Sequence, residues 1–165
     1  MRKLLFLVML LTMTVSASAI KLQEGSLECL RGQKVKVVLD LSNTKYKESL
    51  TVDDFLRIAY REDNWMELSL HKFTSEFNKH SFRAGIKATT DDGCAYQMHI
   101  VPANIKRSGK LQNVAVVIVE TATRTEKAVI TLDSKEGDHD ESNVFGDAMD
   151  DLGEQLGKFF SKMIK

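Results

Sequence analysis

From Lys34 to Leu41 apolar and polar residues alternate, with Val35, Val37, Leu39 and Leu41 on one face and Lys34, Lys36 and Asp40 on the other. A period of two predicts a strand buried on one side. Val38 departs from the alternation, and Ser42-Asn43 ends it. Residues 20–33, punctuated by Gly25 and Gly32, read as a lead-in with room for a brief strand. After Thr51 the period changes. Val52, Phe55, Leu56 and Ala59, and later Met66, Leu70, Phe73 and Phe77, recur at helical spacing, with Thr51 and Asp54 placed like a capping box. Asp63 would fall on the apolar side of one continuous helix, so a break near Asn64 is expected.

Period-two stretches return at about 82–90, 94–106, 111–123 and 127–133, separated by Asp91-Asp92-Gly93 and Ser108-Gly109 turns. The run Val114–Val119 is apolar on both faces and predicts a central strand. Pro102 cannot donate to a ladder, so a bulge or an edge is expected there. From Asn143 one apolar stripe runs through Phe145, Ala148, Met149, Leu152, Leu156, Phe159, Phe160 and Met163, predicting a closing helix. Asp147, Asp150 and Asp151 near its start and Lys158, Lys162 and Lys165 near its end both suit the helix dipole. With no internal repeat and no low-complexity linker, residues 20–165 predict a single α+β domain. It has two layers: about five mostly antiparallel strands, with two helical regions packed on one sheet face.

The first nineteen residues stand apart. Arg2 and Lys3, the apolar run Leu4–Val15 and the small residues Ala17-Ser18-Ala19 make the pattern of a secretory signal peptide, with the mature chain starting at Ile20. That run is shorter than the roughly 20 residues that span a bilayer, and no later one approaches that length. Export, with a periplasmic or outer-membrane-associated location, is the expectation. Of 23 basic and 23 acidic residues the signal removes two basic ones, leaving a formal charge of −2 and no electrostatic call for nucleic acid.

Export puts Cys29 and Cys94 where disulfides persist. Pairing would stabilise the fold by roughly 4 kcal/mol in the chain-entropy picture; the alternative is two separate buried thiols. Cys29 lacks the small preceding residue of a lipobox, since Glu28 stands there. The acidic stretch 133–141 offers Asp138, Asp140 and Glu141 as oxygen ligands for calcium, although the EF-hand spacing is absent and a solvated loop explains the same residues. Glu67 with His71 and Glu76 with His80 have i,i+4 spacing, but the two pairs lie half a turn out of phase. No HExxH, GxSxG or phosphate-binding glycine loop occurs.

Gly146, Gly153 and Gly157 weaken the closing helix by close to 1 kcal/mol each relative to alanine, so each wants a close approach in return. Core packing is one use. An interface through Gly153, Gly157, Phe159 and Phe160, to a second copy, a protein partner or a membrane surface, is the other.

The order of signal peptide, strand, helix, several strands and closing helix, together with the Leu-Gly-x-x-Leu-Gly-Lys-Phe-Phe run ending at Phe160, resembles small exported proteins of Bacteroidetes. It is loosely similar to the periplasmic α/β domains of outer-membrane assembly lipoproteins and of the curli-secretion lipoprotein. The resemblance implies no catalytic residues and no cofactor. The expected function is therefore non-enzymatic binding of a protein or envelope component, or of further copies of the chain. The alternatives are a hydrolase-type site assembled across the sheet from His99, Tyr96 or the acidic loop, and a calcium-dependent binder.

Overall fold

The computed structural model describes residues 20–46, 50–51, 64–106, 108–134 and 144–164. Eight strands form one sheet: β1 (Lys21–Gly25), β2 (Lys34–Leu39), β3 (Lys45–Tyr46), β4 (Leu50–Thr51), β5 (Lys87–Thr89), β6 (Tyr96–Ile105), β7 (Leu111–Glu120) and β8 (Thr125–Leu132). Two helices accompany it, α1 (Trp65–Ser81) and α2 (Val144–Met163). The sheet order is β1-β8-β7-β6-β2-β5, with β3 joining β6 and β4 pairing β3.

The β6-β7-β8 meander is antiparallel, whereas β2 runs parallel to both β5 and β6. The strand count of about five is thus too low, and the sheet is mixed. Two of the missed strands, β3 and β4, are two residues long, too short for any period to show. The predicted strand from Phe82 is corrected as well. Phe82–Ala84 makes a 3-10 turn off the end of α1, closed by Gly85 at φ 66°, and only Lys87–Thr89 is extended. A left-handed glycine ends a helix at little steric cost, and that local geometry overrode the apolar spacing. The expected break near Asn64 coincides with the start of α1, whose first-turn bond runs from Leu68 N–H to Asn64 C=O at 3.1 Å. The helical expectation for 52–63 falls outside the described residues.

One face of the sheet is the core. Val35, Val37 and Leu39 of β2, Met98 and Ile100 of β6, Val114, Val116 and Ile118 of β7, and Ala128, Ile130 and Leu132 of β8 are buried beneath Phe73 and Phe77 of α1 and Phe145, Met149, Leu152, Leu156 and Phe160 of α2. The helices lie side by side and run in the same direction. Trp65 meets Phe145 edge-on at 5.3 Å, Lys72 pairs with Asp147 at 2.9 Å, and Ser161 Oγ donates to His80 C=O at 2.5 Å. Glycine permits this closeness. A Cβ on Gly153 would stand 2.4 Å from Phe73 O, and one on Gly157 would stand 2.6 Å from Phe77 O.

Pro102 marks a change of neighbour along β6. As far as Ile100 the strand pairs with β2; from Asn104 it pairs with β3. Pro102 sits in the gap, where its missing N–H leaves no ladder bond unmade and its carbonyl accepts from Thr44 Oγ1 at 2.7 Å. On the β7 side Asn113, at φ 50°, lets the buried set shift from Val114 to Leu111, three residues away and of opposite parity.

Candidate functional site

The outward face of the sheet is the one on which no described helix packs. Alternation that buries one side chain presents the next, so the core positions dictate the outer ones. Across four strands Val38, His99, Val117 and Val129 stand in register as one row, and Val101, Ala115 and Thr131 form the next. All of these are half-buried by their neighbours, and no described helix lies over them. The apolar-on-both-faces run Val114–Val119 has the central place expected of it, but its second face meets no described helix.

One end of this face is crossed by the chain itself. The parallel pairing of β5 and β6 on either side of β2 requires residues 90–95 to pass over β2. Lys36, an outward position, pairs with Asp92 of that crossing, which places it on the outer side. The salt bridge lowers the Asp92 carboxyl below its ordinary range. A shallow depression lined by Lys34, Thr89, Asp91, Cys94 and their neighbours lies beside the crossing.

His99 is the titratable group at the centre of the face. Its Nε2 lies 2.9 Å from Gln97 Oε1 on the same strand and face. Burial pushes its proton affinity below that of a free imidazole, opposed by the charge of Asp40. The Asp40 carboxylate accepts from Ser42 Oγ at 2.6 Å and Ser42 N–H at 3.0 Å, and these bonds hold its own pKa down. Tyr96 shares the parity of Met98 and packs against the core cluster. His99 and Tyr96 are therefore on opposite faces, and the structure does not bring together the pair on which a hydrolase-type site was expected to draw.

The remaining candidates separate. Cys29 and Cys94 are free thiols, each with its sulfur 3.8 Å from a nearby carbonyl, Ser26 O and Asp91 O respectively. Burial raises the Cys29 pKa, which keeps the thiol protonated. Gly153, Gly157 and Phe160 serve the inside of the molecule. The glycines meet the backbone of α1, Phe160 is fully buried against Phe77, and Phe159 packs at the core's margin. An interface for a second copy through these residues is corrected accordingly: what approaches the glycine face is α1. Asp138, Asp140 and Glu141 lie outside the described residues, as does the signal segment 1–19. Among the described residues no three His, Cys, Asp or Glu side chains converge as metal ligands, and no helix is long and apolar enough to cross a membrane. The outer face itself went unread because a strand's solvent side looks alike whether it is bare or covered.

No protein-family model matches the chain, and no curated protein matches it. Solved structures do. It is similar to a PelC dodecamer from Paraburkholderia phytofirmans at 10% identity and a TM-score of 0.44, covering 83% of this chain and 97% of that one. A single-residue variant of that dodecamer gives 11% identity and 0.47, covering 90% and 99%. A DUF330 protein from Xanthomonas campestris gives 8% and 0.37, covering 87% and 93%. None of these three is a Bacteroidetes protein or a curli-secretion lipoprotein.

Proposed function

We propose that the chain is an exported, non-catalytic domain of the cell envelope that works by binding a protein partner on the outer face of its sheet. One observation carries this reading: the Val38–His99–Val117–Val129 row, with Val101 and Ala115 beside it, is an aliphatic surface with no described helix over it. Among the described residues the face carries no Phe, Tyr or Trp ring on which a sugar would stack, and most side chains of its two rows are short and β-branched. Such a surface complements another sheet face or a helix laid across it. Its charged margin is balanced internally by Lys36 with Asp92 and Lys127 with Glu120. The signal pattern at the start of the chain supports location in the envelope. Calcium-dependent binding through Asp138, Asp140 and Glu141 would be an additional property.

The test is site-specific photocrosslinking in intact cells, with the reactive group at position 117 or 101 and a control at the exposed Leu68 of α1. A discrete adduct formed from the sheet positions alone, and lost when Val129→Glu is added, is the expected result. Adducts from the control position only, or none from any position, would overturn the proposal.

A further inference from the structure

Both helices end at the same pole of the molecule. The 3-10 turn after α1 exposes Phe82 to 66%, and the last turn of α2 exposes Met163 to 41%. The end of α2 packs beside this turn. The chain that enters β2 lies alongside too: Gly32 N–H donates to Ala84 C=O at 3.2 Å and Lys87 N–H to Gln33 C=O at 3.0 Å.

Cations gather around the two apolar side chains. Arg83 lies over the Phe82 ring at 5.8 Å, and Lys162 is in the last turn of α2. Lys34 and Lys87, both exposed, stand directly opposite each other in the β2–β5 register. Like charges opposite one another across a strand pair repel. None of these four cations has an acidic partner among the described residues. Glu28 is paired with Arg31, Glu76 with Lys79 and Glu154 with Lys158, while near Lys34 Asp92 is paired with Lys36 and Asp91 lines the same depression. Arg83, Lys87 and Lys162 therefore leave the pole net positive around an exposed phenyl ring. Part of that charge answers the negative ends of two parallel helices. That role does not account for a lysine pair in the sheet or for a bare Phe82.

The geometry points to an anionic lipid surface as the occupant. Phe82 and Met163 would enter the headgroup boundary, while Arg83, Lys87, Lys34 and Lys162 meet lipid phosphates. Apolar anchors ringed by cations are what such a surface attracts, and neither feature alone holds a protein there. Phe82 and Met163, on which this inference turns, belong to the helix ends and not to the Val117 row, so it stands or falls separately from the partner surface proposed above.

Sedimentation of the exported, processed chain with vesicles tests it. Vesicles of equal parts phosphatidylglycerol and phosphatidylcholine should bind the protein, and phosphatidylcholine alone should not. Phe82→Ala should lower the partition coefficient several-fold, and Arg83→Glu with Lys87→Glu at least tenfold, with far-ultraviolet circular dichroism unchanged because all three side chains are exposed. Equal binding to both vesicles, or indifference to these substitutions, would overturn the inference. So would capture of soluble polyphosphate by both wild type and Phe82→Ala without any vesicle binding, since that would make the pole a polyanion site.

Discussion

At His99 a single polar side chain sits in a row of valines, and its environment sets its charge. Burial favours the neutral imidazole over the cation, while Asp40 pulls the other way and loses. The folded pKa is thus below the ordinary 6.5. As pH falls through 6.5 the unfolded chain takes up a proton that the folded chain resists, so native stability drops until the folded protein is protonated as well. Urea midpoints at pH 7 and pH 5 check this: wild type should lose more between them than His99→Gln, and equal losses would acquit His99. The residue's identity was plain in the sequence, and so was its separation from Cys94. Its place between Val38 and Val117 was not, because cross-strand neighbours come from register between distant segments. The two cysteines show the same limit from the other side. Export made a disulfide reasonable, but each sulfur's actual neighbour is a carbonyl three residues before it.

The helix pair shows how far local reasoning reaches among elements. Three costly glycines in an otherwise apolar stripe announced a close contact, and at Gly153 and Gly157 the contact exists. Which surface approaches could not be read, because one helix's stripe is silent about its partner. Gly153→Ala puts the trade to a test. The substitution gains close to 1 kcal/mol in helix propensity, yet it sets a methyl group 2.4 Å from Phe73 O, where only backbone can yield. Overpacking of that kind costs about 1–3 kcal/mol and is opposed by the propensity gain. Urea unfolding should show a net loss; a gain would mean that the helices separate freely. Strand identity was similarly legible wherever the run was long, as in β6, β7 and β8. Parallel pairing was not. A strand that crosses over a neighbour by residues 90–95 looks locally like one joined by a hairpin, and the Asp91-Asp92-Gly93 turn suggested the latter.

Across the whole molecule the polarity of the sheet organises everything else. Both helices occupy one face, the outer face holds an aliphatic row, and the pole where the helices end is basic. The α+β class, the core stripe of α2 and the central place of Val114–Val119 were legible because they follow from composition and period. The mixed topology and the basic pole were not, since the pole assembles Lys34, Arg83, Lys87 and Lys162 from segments far apart in the chain. If the first nineteen residues act as a signal, envelope fractions should contain a chain whose amino terminus is Ile20, as mass spectrometry would report. An intact Met1 terminus confined to the cytosol would refute export.

The lid of the core is synthesised after every described strand. Phe145, Met149, Leu152, Leu156 and Phe160 all belong to α2, and until they arrive the buried side of β2, β6, β7 and β8 lacks half of its cover. A polypeptide that emerges from its amino terminus onward therefore completes this core only once the helix has followed the strands.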